Sequence, residues 1–199
     1  MKAFVNSLSI FRICAAFAIV PTLMMQWYWV SVILFALASM SDWFDGYLAR
    51  KFNVCTKLGG VLDHIGDKLL VVITLIMLAL MMRFWFVIIP VIIMIARELY
   101  ISGLREFLGT QKIEMPVPKA RFSLGKIKTT LQMVAILFFL LLFAVSSIVT
   151  PETISSKVLI TMNLLSQCGI VCLWFALVAS VWSATQYTIT FAQKLKKIK

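Results

Sequence analysis

The chain has 199 residues, of which 62% are hydrophobic and only 14% are charged, and its mean hydropathy is 0.99. A soluble domain is typically about 45–50% apolar and about 25% charged, so this composition excludes a soluble globular protein and predicts an integral membrane protein. The net charge of +11 does not indicate a nucleic-acid-binding protein, because no soluble module is left to present a basic surface.

Six apolar segments are long enough to cross a bilayer, which takes about 20 residues of helix. In chain order they cover approximately residues 7–27, 29–50, 59–82, 84–106, 122–147 and 158–190. We therefore expect an all-α bundle of six transmembrane helices, forming a single domain over residues 1–199. The most polar stretch, residues 105–130, contains Pro116 and Pro118 and predicts a loop between the fourth and fifth segments.

Basic residues are distributed unevenly between the two ends of these segments. The connections near residues 21–28, 82–84 and 150–157 carry only Arg83 and Lys157. The opposite ends and the tail collect Lys2, Arg50, Lys51, Lys57, Lys112, Lys119, Arg121, Lys126, Lys128, Lys194, Lys196, Lys197 and Lys199. By the positive-inside rule, both termini should lie in the cytoplasm. This basic rim should attract anionic lipid headgroups.

All four aspartates of the chain lie within residues 42–67, between apolar segments. One aspartate at the centre of a membrane helix costs about 2.5–3.5 kcal/mol, so this group of charges needs compensation. The first two are three residues apart and the last two are four apart, so each pair shares one face of a helix. A short turn at residues 51–58 makes the two helices antiparallel neighbours and lets the carboxylates converge: Asp42, Asp45, Asp63 and Asp67.

Four converging carboxylates are a suitable ligand set for hard divalent cations such as Mg²⁺ or Mn²⁺. Two such ions about 3.5–4 Å apart can clamp a phosphoryl group. A simpler interpretation is a set of interfacial salt bridges to Arg50, Lys51 and Lys68. That interpretation accounts for the charge, but it does not explain the small residues placed at helical spacing beside the aspartates.

The pattern Asp42-x-x-Asp45-Gly46-x-x-Ala49-Arg50-x8-Gly59-x3-Asp63-x3-Asp67 resembles the signature of the CDP-alcohol phosphatidyltransferases at all eight defined positions. The segment from Asn6 to Arg12 is also similar to the amino-terminal segment of that family. Residues 96–106 and 125–132 resemble its bacterial phosphatidylglycerolphosphate synthase branch. Together these segments cover most of residues 6–133.

The resemblance implies a transferase that moves the phosphatidyl group of CDP-diacylglycerol to sn-glycerol 3-phosphate and releases CMP. It implies two Mg²⁺ or Mn²⁺ ions on the four aspartates, with Asp67 also acting as the general base. Donor binding is implied for Asn6, Ser9, Gly46, Arg50 and Thr56. It further implies a homodimer with each active site within one protomer, in the bacterial cytoplasmic membrane. The partners expected are the two substrates and membrane lipids.

The acceptor phosphate requires a cationic pocket open to the cytoplasm. Four basic residues at the end of the fourth segment and the start of the fifth are candidates for it: Arg97, Arg105, Lys126 and Lys128. For Lys126 and Lys128, ordinary anchoring at the cytoplasmic interface is the alternative.

Two other functions remain open from the sequence. The same family also contains enzymes that use serine, inositol phosphate or phosphatidylglycerol as the acceptor, and the core signature does not distinguish them. A divalent-cation channel or transporter would use the aspartates as a selectivity ring. A channel does not explain Arg50 and Lys68, because fixed positive charges beside the aspartates would repel a permeating metal ion.

Overall fold

The computed structural model describes residues 2–52, 57–110, 124–150 and 155–196, and within them every regular element is a helix. The six helices are α1 (Lys2–Met24), α2 (Tyr28–Phe52), α3 (Lys57–Met82), α4 (Trp85–Thr110), α5 (Leu124–Ser146) and α6 (Ser156–Lys196). Each predicted segment coincides with one helix, so the all-α class and the order of elements are confirmed.

Five of these helices are long and apolar enough to cross a membrane. In α2, the described residues contain a shorter apolar stretch, Tyr28–Ser41. Large apolar side chains on the outer faces are exposed, as expected for helices surrounded by lipid. The chain is thus built as a multi-pass membrane protein.

The predicted boundaries differ most from the observed ones at three places. The first helix begins at Lys2 and not near residue 7. Part of the stretch 105–130, expected to be a loop, is helical, because α4 continues to Thr110 and α5 begins at Leu124. The sixth helix does not end near residue 190 but reaches Lys196, and its 41 residues span about 60 Å, roughly twice the thickness of a hydrocarbon core. The extended ends of α4 and α6 contact each other through the rings of Phe107 and Phe191.

Helices α4 and α6 run parallel along much of their length. Trp174 Nε1 donates to the carbonyl oxygen of Phe86 at 3.0 Å, near the start of α4. Further along both helices, Tyr100 and Thr188 place their hydroxyl oxygens 3.3 Å apart. Residue numbers increase together at these contacts, which fixes the parallel direction.

Helices α5 and α6 form the most extensive contact in the bundle, together with α1 and α3. Gly169 allows the α5–α6 contact, because a Cβ atom at that position would lie 2.7 Å from Cε1 of the fully buried Phe139. The ring of Phe139 therefore occupies the space that any larger residue at position 169 requires.

We expect Gly169→Ala to destabilise the protein by about 1–3 kcal/mol, because the fully buried Phe139 ring would have to shift to make room for the added methyl group. Thermal unfolding in detergent micelles would measure the change. Gly103→Ala is the matched control, since no described atom lies within 4 Å of its added methyl group, and a helical Gly→Ala change stabilises by about 1 kcal/mol. Equal melting temperatures for both variants would contradict this account of the α5–α6 packing.

Candidate active site

A fully buried arginine connects the first three helices. The side chain of Arg12 on α1 has 0% exposure, and its Nη1 is ion-paired with Oδ1 of Asp67 on α3. Its Nε lies 3.4 Å from Oγ of Ser41, the residue of α2 that directly precedes Asp42. Arg12 therefore brings the α2 and α3 halves of the aspartate signature to the same end of the bundle.

The backbones of α1 and α3 approach each other closely at this pair. Gly66 is buried, and a Cβ atom there would lie 3.4 Å from the carbonyl oxygen of Ser9 and 3.6 Å from Cβ of Arg12. Ser9, a predicted donor-binding residue, is 1% exposed beside this contact. The small residue before Asp67 thus lets α1 lie against the face of α3 that carries the carboxylate.

A second group of charged and polar residues connects α3, α4, α5 and α6. We call it the α4 cluster, and it consists of Lys68, Arg97, Glu98, Ser102, Lys128, Ser180 and Ser183. The carboxylate of the α4 cluster belongs to Glu98. It forms an ion pair with Lys128 and a second one with Arg97, whose Nη1 lies 2.9 Å from Oε1 of Glu98. Lys68 Nζ donates to Oγ of Ser102 at 2.7 Å.

Arg97 connects α4 to α6 within this cluster. Its Nε donates to the carbonyl oxygen of Ser180 and its Nη2 to Oγ of Ser183, each at 3.0 Å. The side chain is 9% exposed, and Lys128 is 7% exposed. These two predicted acceptor residues are therefore buried and already paired with Glu98.

Arg105 lies further along α4 and is exposed. Its Nη2 donates to the hydroxyl of Tyr187 at 2.9 Å, and its guanidinium carbon lies 5.1 Å from the centre of the same ring. It is also within electrostatic range of Lys68. Arg105 is thus the most accessible of the predicted acceptor residues that the structure describes.

Several predicted site residues lie outside the described part of the chain. Thr56 is in none of the described ranges. The helices include further predicted positions whose side chains are not described: Asn6, Asp42, Asp45, Gly46, Arg50, Asp63 and Lys126. Their assignments stay predictions.

Sequence reasoning did not assign Arg12, Glu98 or Ser102 to the site. Arg12 falls within an amino-terminal segment that the family resemblance already singled out, and a charge ten residues into an apolar helix is itself a signal for a buried partner. Glu98 carries the same signal. Ser102 lies within residues 96–106, which the resemblance also covers, but a serine in a membrane helix usually bonds within its own helix and so does not indicate a partner on α3.

Comparison with known proteins identifies the family. A profile described as CDP-alcohol phosphatidyltransferase matches residues 3–182. The chain belongs to the CDP-alcohol phosphatidyltransferase family. This result confirms the resemblance seen in the sequence and favours a transferase over a cation channel.

Three curated relatives carry the name CDP-diacylglycerol–glycerol-3-phosphate 3-phosphatidyltransferase. The one from Pectobacterium atrosepticum is 33% identical over 187 residues, covering 90% of each chain. The one from Rickettsia bellii is 38% identical over 161 residues, covering 77% of this chain and 83% of the relative. The one from Salmonella choleraesuis is 38% identical over 136 residues, covering 67% and 74% respectively.

Replacing Arg12 with Met should destabilise the protein by about 3 kcal/mol, because Asp67 would lose its buried counter-ion. Arg12→Lys keeps the charge and should recover part of the loss. The double variant Arg12→Met/Asp67→Asn should also recover stability, since neither charge remains. Thermal unfolding in detergent measures all three. If the double variant is as unstable as Arg12→Met alone, the cost comes from packing and not from the ion pair.

Proposed function

We propose that this chain transfers the phosphatidyl group of CDP-diacylglycerol to sn-glycerol 3-phosphate, giving phosphatidylglycerol phosphate and CMP. Family membership gives the reaction class, and the names of the relatives give this donor and this acceptor. The observation that carries the proposal is Arg12, which contacts Ser41 and Asp67 and so joins the two halves of the aspartate signature at one end of the bundle.

In the proposed reaction, Asp67 accepts the proton of the acceptor hydroxyl. The hydroxyl oxygen forms a bond to the phosphorus on the lipid side of the pyrophosphate, the bond from that phosphorus to the CMP oxygen breaks, and CMP leaves. Arg12 holds Asp67 through the ion pair between its Nη1 and Oδ1 of the carboxylate, which fixes the position of the proposed base.

The four aspartate carboxylates fit a divalent-cation site of the kind this family generally requires. Asp67 keeps 32% of its side chain exposed, so an ion can reach it while Arg12 stays in place. We assign two Mg²⁺ or Mn²⁺ ions to Asp42, Asp45, Asp63 and Asp67, whose carboxylates are the hard oxygen ligands these cations prefer. When bound, such ions supply positive charge against the pyrophosphate of the donor. We assign the donor itself to Asn6, Ser9, Gly46, Arg50 and Thr56.

The acceptor phosphate is assigned to the cationic side chains around the end of α4 and the start of α5: Arg97, Arg105, Lys126 and Lys128. Support comes from the local charge, since the carboxylate of Glu98 is within electrostatic range of three cationic side chains, Lys68, Arg97 and Lys128. A dianionic phosphate offsets this excess of positive charge.

We place the protein in the bacterial cytoplasmic membrane as a single domain over residues 1–199. The uneven distribution of lysine and arginine supports cytoplasmic termini and a site that opens to the cytoplasm. The family resemblance supports a homodimer with one active site in each protomer, surrounded by membrane lipids.

The acceptor can be tested directly with purified protein, CDP-diacylglycerol and Mg²⁺. We expect product with glycerol 3-phosphate and none with serine, inositol phosphate or phosphatidylglycerol, as measured by thin-layer chromatography. Preferential transfer to any of the other three acceptors would contradict the proposed substrate and leave the family assignment intact.

Asp67→Asn should lower the melting temperature, because the buried Arg12 loses its counter-ion. The protein should still fold and bind CDP-diacylglycerol, because the amide oxygen can accept a hydrogen bond from Arg12. Turnover should fall by at least about 100-fold, since the base is lost. Melting temperature and donor binding serve as the controls. A variant that retains more than about a tenth of the wild-type rate would show that Asp67 is not the base.

Removal of divalent cations should abolish transfer reversibly. We expect no product in excess EDTA and recovery after Mg²⁺ or Mn²⁺ is added back, because the pyrophosphate needs charge compensation. Binding of Mn²⁺ followed by electron paramagnetic resonance gives a readout independent of activity. Undiminished turnover in EDTA would exclude the metal assignment.

A further inference from the structure

Lys68 occupies a position in the α4 cluster that its other basic side chains do not share. It directly follows Asp67 on α3, so the two Cα atoms are about 3.8 Å apart. Its Nζ donates to the neutral hydroxyl of Ser102 at 2.7 Å. Among the side chains that the structure describes, no carboxylate lies within ion-pair distance of Lys68.

The neighbouring cations are compensated in a different way. Lys128 and Arg97 share the carboxylate of Glu98, and Arg97 also donates to two groups of α6. Lys68 is half-buried and within electrostatic range of Glu98, which attracts it, and of Arg105 and Arg97, which repel it. Because the carboxylate of Glu98 is paired directly with Lys128 and Arg97 and not with Lys68, a further anion beside the ammonium group of Lys68 is favourable.

The short length of glycerol 3-phosphate limits where its phosphate group can lie. In the proposed function, on which this inference rests, the attacking hydroxyl must lie within hydrogen-bond distance of Asp67. Only three carbons separate the ends of glycerol 3-phosphate, so its phosphate has to be bound close to the same residue. Lys68 is the basic residue adjacent to Asp67 in the chain, and its flexible stem carries a movable point charge.

We propose that Lys68 binds the phosphate group of the acceptor and that Ser102 orients its ammonium group. Lys68 is then a specificity-determining residue that selects a phosphorylated acceptor. Ser102 is a positioning residue that acts through Lys68. The α3 helix thereby supplies the base and the phosphate contact from consecutive positions.

Lys68→Met should raise the KM for glycerol 3-phosphate by about 10- to 100-fold, the effect expected for one lost charged contact. The KM for CDP-diacylglycerol and the Mg²⁺ concentration for half-maximal activity should change less than about twofold. Lys68→Arg should keep the KM for glycerol 3-phosphate within about threefold of the wild-type value. Ser102→Ala should raise it by about 2- to 10-fold, since the charge remains but its orientation is lost.

Inorganic phosphate provides a second probe. It should inhibit the wild-type protein competitively against glycerol 3-phosphate, and its inhibition constant should rise in Lys68→Met by the same factor as the KM. Lys157→Met is the matched control, because Lys157 is exposed near the start of α6, at the other end of that helix from the α4 cluster. That variant should leave every constant unchanged.

The outcomes separate this inference from the proposed function. If the wild-type protein does not use glycerol 3-phosphate, the proposed function fails. If it does, and Lys68→Met changes both Michaelis constants equally or neither of them, the inference is overturned and the function stands. Should Lys68→Met fail to fold, Lys68→Gln and Ser102→Ala apply the same test, and an unchanged KM for glycerol 3-phosphate in both would overturn it.

Discussion

A guanidinium buried inside a bundle of membrane helices needs a counter-ion, and the pairing of Arg12 with Asp67 is the constraint on which the rest of the site depends. The pair fixes how α1 lies against α3, since Arg12 has no exposed surface through which water could replace the carboxylate. Its contact with Ser41 extends the constraint to α2. Three helices are thus held in one arrangement by a single side chain, and Gly66 permits the close approach that this arrangement requires.

The α4 cluster is a second constraint, built on the other half of the bundle. Glu98 holds Lys128 of α5, while Arg97 reaches the carbonyl oxygen of Ser180 on α6. Each hydrogen bond contributes only about 1 kcal/mol net, but a buried charged group without its partner costs more than that. The cluster therefore determines which helices lie together more than it adds to their stability. Lys68 connects it to the Arg12–Asp67 pair, because Lys68 and Asp67 are neighbours on α3.

Much of this architecture could be predicted from the sequence, because helix length and apolar composition are local properties. The six segments and the all-α class followed from them, and the spacing of the aspartates identified the family. The ends of α4 and α6 were missed because they depend on contacts between distant residues, such as Phe107 with Phe191. The pairing of Lys68 with Ser102 was missed for the same reason. A charge pattern shows that a partner is needed, but only the packing of the helices shows which partner it is.

The two constraints lie on different parts of the chain, and this separation bears on how one family can use several acceptors. The eight-position signature runs from residue 42 to residue 67 and belongs to α2 and α3. Glu98, Lys128 and Ser183 lie outside it, on α4, α5 and α6, so a substitution at any of them leaves every position of the signature unchanged. Ser102 lies outside it too, yet it contacts the residue directly after the signature. With Lys68 binding the acceptor phosphate as we propose, a substitution at Ser102 on α4 changes that contact and leaves the signature unchanged, so one signature could serve enzymes with different acceptors.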